Sequence, residues 1–141
     1  MSLTVSVLGI PVPQGSMRSL GPRRMVHSNA DKLRPWRDTV AWEVRYTMLL
    51  GGSVEPLVGP LHMDVQFVLP RPKSAPKVRW APDRKPDLDK LLRALLDAVT
   101  AGGAWTDDAQ VVSLTASKVY ATPSDVPHVT FTIRETFAAH N

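Results

Sequence analysis

The sequence predicts a single α+β domain over residues 1–141, with a mixed β-sheet and two main helices in the order strand, helix, strand, helix, strand, strand. Three observations predict it: 141 residues is the usual size of one domain, some segments alternate apolar and polar residues as half-buried strands do, and others repeat apolar residues every three or four positions as helices do. No apolar run approaches the roughly 20 residues that cross a bilayer. The chain contains no cysteine. We therefore expect a cytoplasmic protein without a secretory signal, a membrane contact, a disulfide or an organic cofactor.

The first half begins with a strand, in which Leu3, Val5 and Val7 alternate with polar residues. Residues 14–30 are basic and show no period, which favours a mobile arm. A helix should follow, with Pro35 in its first turn and Gly51-Gly52 at its end. Its apolar face comprises Leu33, Trp36, Val40, Val44 and Met48.

The second half begins with the alternating strand 61–69. Residues 70–86 contain five prolines, which predicts a long, exposed and mobile loop. The last two strands, 111–120 and 129–133, are expected to pair as a hairpin through Thr122–Asp125.

The helix between that loop and those strands has the clearest pattern. Its apolar residues are spaced as on one helix face: Leu88, Leu91, Leu92, Leu95, Leu96 and Val99. Asp87 stands where a side chain can cap the free N–H groups, and Gly102-Gly103 lies where the helix should end.

Positive charge is unevenly distributed. The formal net charge is +4, with a sequence pI near 9.8, and 15 of the 17 Lys and Arg residues lie in the stretches 13–45 and 71–93. Such clustering is typical of proteins that bind a polyphosphate. The candidate DNA-binding residues are Arg18, Arg23, Arg24, Arg71, Lys73, Lys77, Arg79, Lys85 and Lys90.

Acidic residues stand within this basic surface. Asp87 and Asp89 open the second helix, and Arg93 lies one turn beyond Asp89 on the same face. A second pair, Asp107-Asp108, follows the helix, and a tight reversal into the next strand could bring it back beside the helix. Carboxylates gathered in this way suit Mg²⁺, which often shares them with substrate phosphate. Taken singly, the same acids could have only structural roles, such as capping the helix. Asp89 and Asp97 each lie four residues from Arg93, so either could form a simple ion pair with it.

Three stretches resemble the RusA-type Holliday junction resolvases. They are Lys85–Val99 and then Trp105–Val111, with the acids at the same spacing, and the N-terminal Ile10–Arg18. The resemblance implies a small homodimeric endonuclease of bacteria and their phages, acting in DNA recombination and repair. It implies that the enzyme binds four-way junction DNA and uses Mg²⁺, with Mn²⁺ as the alternative ion, to cut two strands symmetrically.

The resemblance also implies the roles of individual residues. Asp87, Asp89 and Asp108 fall on the metal-binding acids, with Asp107 beside them, and Arg93 falls on the catalytic basic residue. Two positions depart from the family pattern: Arg93 stands where a lysine is usual, and Lys90 where an asparagine is usual. An arginine offers a planar fork in place of a point charge.

Other readings remain open at this point. A non-catalytic DNA- or RNA-binding module would have the same basic surface, with acids that only cap the helix. Trp80 could stack on an unpaired base or pack beneath its own loop, and we expect the packed position. Trp105 should wedge the turn beside Asp107. The four histidines share no metal-binding spacing. Ser113, Thr115 and Ser117 have no base beside them in the sequence, so nucleophilic catalysis lacks support.

Overall fold

The computed structural model describes residues 2–15, 17–21, 24–27 and 30–137. Within them, four strands form one sheet in the order β1-β6-β4-β5, and two short strands form a second sheet. The elements, in chain order, are β1 (Ser2–Leu8), β2 (Met17–Gly21), β3 (Arg24–His27), α1 (Ala30–Leu50), β4 (Leu61–Leu69), α2 (Leu88–Gly102), a one-turn 3-10 helix (Asp108–Gln110), β5 (Val111–Tyr120) and β6 (His128–Glu135). The predicted α+β class is confirmed.

Both helices belong to one hydrophobic core with one face of the sheet. The apolar stripe of α1, including Val40 and Val44, is buried together with Leu91 and Leu95 of α2. From the sheet, alternate residues of β4 such as Met63 and Phe67 enter the same core, as the period of two predicts. The opposite face of the sheet is polar, so the sheet is covered on one side only.

A close approach between the helices depends on Gly102. A Cβ atom at this position would lie 2.8 Å from the carbonyl oxygen of Ala41 and 2.8 Å from the Cβ of Val44. The sequence identifies Gly102-Gly103 only as the end of the helix. The structure divides the two tasks: Gly103 takes the left-handed C-cap conformation with φ of 88°, and Gly102 lets α1 and α2 touch.

The sheet topology corrects the predicted hairpin. The strands β5 and β6 are not neighbours, because β4 lies between them, parallel to β5 and antiparallel to β6. The reason is burial: β4 is the most continuously buried of the strands that the structure describes, and the central position removes both of its edges from water. The helix α2 makes the crossover that a parallel β4–β5 pair requires.

Two further expectations need correction. The basic arm was expected to lack regular structure, but its backbone contains the antiparallel pair β2 and β3. Local pairing of this kind needs no long apolar period. The helix α1 begins at Ala30, so Pro35 is its sixth residue and not part of its first turn. In the part of the chain that the structure describes, no helix is long and apolar enough to span a bilayer.

Candidate functional site

The start of α2 exposes two carboxylates. Asp87 has extended backbone angles at the N-cap position, yet among the described residues its side chain makes no capping hydrogen bond. The expected capping role of Asp87 is therefore wrong. Asp89, in the first turn, is also exposed. Both acids point to solvent at a helix end whose N–H dipoles favour negative charge.

Asp87 lines a groove. The groove has a volume of about 620 Å³ and runs between residues 10–15 and the basic loop 70–86, with Tyr120 of β5 in its lining. Residues 10–15 are joined to the start of α2 by the hydrogen bond from the Gln14 N–H to the Lys90 carbonyl, 3.0 Å. The cationic residues that line the groove are Lys32, Arg79, Arg84, Lys85 and Lys90. A groove with one carboxylate and five cations suits a polyanionic ligand.

Arg71 organises the basic loop from inside. Its guanidinium donates to the carbonyl oxygens of Arg79 at 2.6 Å and Pro76 at 2.7 Å. The same guanidinium lies over the ring of Tyr120, 5.1 Å from its centroid. The loop is irregular, as predicted, but it is tied to itself and to the sheet. Arg71 thus has a structural task in addition to the DNA contact expected for it.

Lys118 ties the other end of the same loop. Its ammonium donates to the carbonyl oxygens of Arg84 at 2.7 Å and Pro86 at 2.8 Å. Pro86 directly precedes Asp87, so β5 positions the acid through this contact. The sequence reasoning missed Lys118. The available signal was its position in the strand. Lys118 is a lone cation that shares the helix-facing side of β5 with Ala116 and Tyr120.

The remaining basic residues are placed as follows. Lys73 and Lys77 are exposed on the loop, where the sequence expected them. The backbones of Arg18 and Arg24 lie in β2 and β3. The side chains of Arg18 and Arg24, and the whole of Arg23, lie outside the described part of the chain.

Trp80 is not packed beneath its loop, contrary to expectation. It is 88% exposed, and Val78 beside it is 87% exposed. By contrast, Trp105 is buried at 1% exposure and its Nε1 donates to the hydroxyl of Thr100 at 2.7 Å. The expectation that Trp105 wedges the turn after α2 is confirmed.

Arg93 is exposed on α2, one turn after Asp89. The expected i, i+4 pair with Asp97 does not form: Asp97 instead approaches Arg37 of α1 at 4.0 Å. Among the described residues, Arg93 takes part in no ion pair, so its guanidinium faces solvent beside the acids.

The second acidic pair serves partly as a helix cap. An oxygen of Asp107 accepts from the N–H of Ala109 at 2.9 Å. Gln110 completes a reciprocal cap, because its side-chain oxygen accepts from the N–H groups of Thr106 and Asp107 at 3.0 and 3.2 Å. Asp107 therefore has a structural role that the sequence reasoning missed, although Asp107 and Gln110 have capping-box spacing. Asp108 is half-buried beside it.

The two acidic pairs do not converge within one chain. Asp107 and Asp108 share a shallow depression with Asp97 and Thr100, near the end of α2, whereas Asp87 stands at its start. Ten to thirteen helical residues separate these places, roughly 15–20 Å along the axis. Among the described residues, no three His, Asp or Glu side chains come together to hold a metal ion. The chain does reverse after α2, as expected, but Asp107 and Asp108 lie near the end of the helix, whereas Asp87 and Asp89 lie at its start.

A Ser–His–Asp chain lies on the polar face of the sheet. Nδ1 of His62 is 2.6 Å from the hydroxyl oxygen of Ser113, and Nε2 is 2.9 Å from Oδ1 of Asp64. The hydrogen bond from His62, followed by the charges of His62 and Arg134, lowers the pKa of Asp64 below its ordinary value. Ser113 has no base beside it in the sequence, but the neighbouring strand β4 brings His62 to it. Strand pairing, which spacing along the chain does not reveal, creates this contact.

The fold and groove define a small basic α+β protein whose exposed acids and cations suit a phosphodiester ligand. Residues 10–134 match the family described as endodeoxyribonuclease RusA, and the chain belongs to that family. Its members are Holliday junction resolvase nucleases that depend on a divalent metal. The resemblance noted from the acidic motifs is thus confirmed. The chain is also 32% identical over 146 residues to YqaN, an uncharacterised protein of Bacillus subtilis strain 168; the match covers 94% of this chain and 96% of the Bacillus protein.

Proposed function

We propose that this protein is a Mg²⁺-dependent endodeoxyribonuclease that cuts four-way DNA junctions by symmetric paired nicks. It would act in recombination and repair, in the cytoplasm of a bacterium, and be encoded by a phage or prophage. The observation that carries the proposal is the groove, whose lining contains five cationic residues together with the exposed Asp87. A nuclease needs this combination, because it must hold a polyanion and still present carboxylates to it.

The cations of the groove would hold the DNA backbone. Contacts between Lys or Arg and phosphates supply affinity and register without reading sequence. Lys73 and Lys77 at the rim of the loop, and Arg18, Arg23 and Arg24 in the basic arm, would extend the same contact along the arms of the junction. Junction selectivity would then come from shape.

Arg93 would stabilise the charge that develops on the phosphoryl oxygens during cleavage. Its guanidinium is exposed one turn from Asp89, without an ion pair among the described residues, so it can meet a phosphate directly. Preorganised donors of this kind contribute roughly 10²–10³ in rate. The planar fork of arginine can bind two phosphoryl oxygens at once, so the exchange of lysine for arginine preserves the role.

A single chain does not fit the metal on which the family depends, because Asp87 and Asp89 lie far from Asp108. A homodimer supplies the missing acids. Two copies with antiparallel α2 helices would bring the start of each α2 to the end of its partner. Leu92 and Leu96 of α2 pack against the core but are only half-buried, and they lie beside exposed Asp89 and Arg93. The apolar surface that they leave uncovered supports contact at this side of α2. Each metal site would then combine Asp87 and Asp89 of one protomer with the partner's Asp108.

The dimer also fits the substrate. A four-way junction has two opposed strands to cut, and a two-fold enzyme presents two identical sites to them. Carboxylate oxygens gathered at such a site are the ligands that Mg²⁺ and Mn²⁺ prefer. Asp107 stays beside Asp108 and holds its turn through the reciprocal cap.

The test is incubation of the purified protein with a labelled mobile four-way junction and, separately, with linear duplex, each with and without Mg²⁺. Paired nicks in the junction alone, and only with Mg²⁺, are expected. Sedimentation of the same sample should give a dimer. A DNA-binding protein without catalysis, the other function that the sequence allows, predicts a bound junction that stays intact under all four conditions.

A further inference from the structure

The basic loop exposes two apolar side chains that are two residues apart in the sequence. We call residues 78–80, which contain them, the tip of the loop. Val78 and Trp80 are 87% and 88% exposed, which makes them the two most exposed large apolar side chains that the structure describes. Isolated exposed apolar residues are common on proteins. A tryptophan is a different case, because its large ring contributes much free energy when it is buried and is seldom left in water.

Trp80 is held in position rather than left loose. The carbonyl of the preceding residue, Arg79, accepts from the guanidinium of Arg71 at 2.6 Å, and the N–H of Arg79 donates to the Pro76 carbonyl at 3.0 Å. The side chain of Arg79 is also paired with Asp83 at 3.6 Å. Because Arg71 itself lies against Tyr120 of β5, the backbone that carries Trp80 is tied to the sheet. The loop is therefore ordered by folding, so binding of a ligand does not have to overcome the loss of the loop's conformational entropy.

The loop that carries the exposed ring is strongly basic. Lys73, Lys77, Arg84 and Lys85 are exposed on the same loop, and its one acid, Asp83, is within 4 Å of both Arg79 and Arg84. A ligand for this tip must combine an apolar flat surface with negative charge. An unpaired nucleotide has both, since its base offers a π-face and its phosphates offer charge. In intact duplex the base faces are already stacked on each other.

We propose that Trp80 is a stacking platform for unpaired nucleobases, with Val78 packed against the same base and Lys77 and Arg84 on the adjoining phosphates. The loop would thereby distinguish DNA with open bases, such as the centre of a branched molecule, from continuous duplex. The application to junctions rests on the proposed function. The stacking itself does not, because single-stranded DNA presents the same unpaired bases.

The test measures binding in EDTA, so that it needs no cleavage. The proteins are the wild type, Trp80→Ala, Trp80→Phe and, as the matched control, Trp42→Ala, which removes a tryptophan that is 62% exposed on α1, outside the loop. The probes are a single-stranded oligonucleotide, a four-way junction and a blunt duplex. Thermal unfolding of each variant checks that the fold is kept.

Trp80→Ala is expected to lower affinity for the single strand and the junction by about tenfold or more, since stacking of one base on an aromatic ring carries such a share of binding. Duplex affinity should change less than about twofold, Trp80→Phe should retain most of the binding, and Trp42→Ala should match the wild type. Quenching of tryptophan emission by the single strand should disappear in Trp80→Ala. Equal affinities for Trp80→Ala and wild type on the single strand would overturn the proposal, as would an equal loss on duplex.

The two proposals fail separately. A wild type that binds but never nicks junctions in Mg²⁺ overturns the nuclease and leaves the stacking result intact. A wild type that nicks junctions while Trp80→Ala binds every probe normally overturns the platform alone. If Trp80→Ala instead loses binding to vesicles of anionic lipid and keeps its DNA affinity, the tip is a membrane contact and the platform is refuted.

Discussion

Lys118 of β5 donates a hydrogen bond of 2.8 Å to the carbonyl of Pro86, the residue directly before Asp87. A strand at the sheet edge thus fixes the start of α2, and with it the acid that lines the groove. Lys118→Met keeps the length of the side chain and removes both bonds to the loop. We expect a loss of about 1–3 kcal/mol in the free energy of unfolding, because each charged hydrogen bond is replaced only by water. Urea denaturation measures it.

The matched control for that variant is Lys73→Met, which removes an exposed cation from the same loop. It should change stability by less than about 0.5 kcal/mol. Junction cleavage should fall in Lys118→Met at unchanged dimer content, since Asp87 loses its anchor. Equal stability of the two variants would show that Lys118 does not hold the loop.

The close contact of the helices at Gly102 predicts an unequal response to alanine at two glycines. Gly102→Ala places a methyl group 2.8 Å from the Ala41 carbonyl and from Val44, and overpacking of this kind costs about 1–3 kcal/mol. At Gly51 the nearest atoms would lie at 3.5 and 3.6 Å, which is ordinary contact. Thermal unfolding should therefore place Gly51→Ala near the wild type and Gly102→Ala well below it. A reversed order would mean that the helices cross elsewhere.

Removal of one acid should separate binding from cleavage. Asp89→Asn keeps the shape of the side chain and deletes its charge, so junction affinity should stay level or rise, because a carboxylate facing phosphate is neutralised. Cleavage should fall by about 10² or more, the size of effect seen when one preorganised charge is lost. Asp125→Asn, at an exposed acid in the turn after β5, serves as the control. Cleavage by Asp89→Asn at the control rate would remove Asp89 from the site.

The His62–Asp64 contact predicts a dependence of stability on pH. Because the folded pKa of Asp64 is lowered, its ionised form is favoured by folding, and the stability it contributes is present above the pKa of the unfolded chain. That stability is lost as the pH falls through the lowered folded value. Asp64→Asn should thus be less stable than the wild type near neutrality and match it in acid. NMR titration of the Asp64 carboxyl, together with urea denaturation across pH, checks the sign; a difference that grows in acid would contradict it.

The sequence predicted well the features that depend on residues close together in the chain. The apolar spacing of α2 and the alternation of β4 reflect burial of one face, which is local and periodic, so both elements and nearly all of their bounds were predictable. Membership of the RusA family was likewise readable from the sequence, because the stretch 85–111 resembles that family and the family match covers residues 10–134.

What failed depends on contacts between distant segments. Strand order is set by which strand is most buried, so the nearest strands along the chain, β5 and β6, were wrongly paired. The spacing between Asp89 and Asp108 did not show that a 15-residue helix keeps them apart. The contact between Arg71 and Tyr120, which ties the loop of Trp80 to the sheet, forms only on folding.

The most direct test of the account is whether two inactive variants restore each other. One variant carries Asp87→Asn with Asp89→Asn, the other carries Asp108→Asn, and each alone should bind junctions without cutting them. After subunit exchange in a 1:1 mixture, a mixed dimer contains one site with all its acids and one with none. We expect roughly a quarter of the wild-type nicking, by random pairing of two-fold dimers, and single nicks in place of paired ones. A mixture as inactive as its two components would contradict a site shared between protomers.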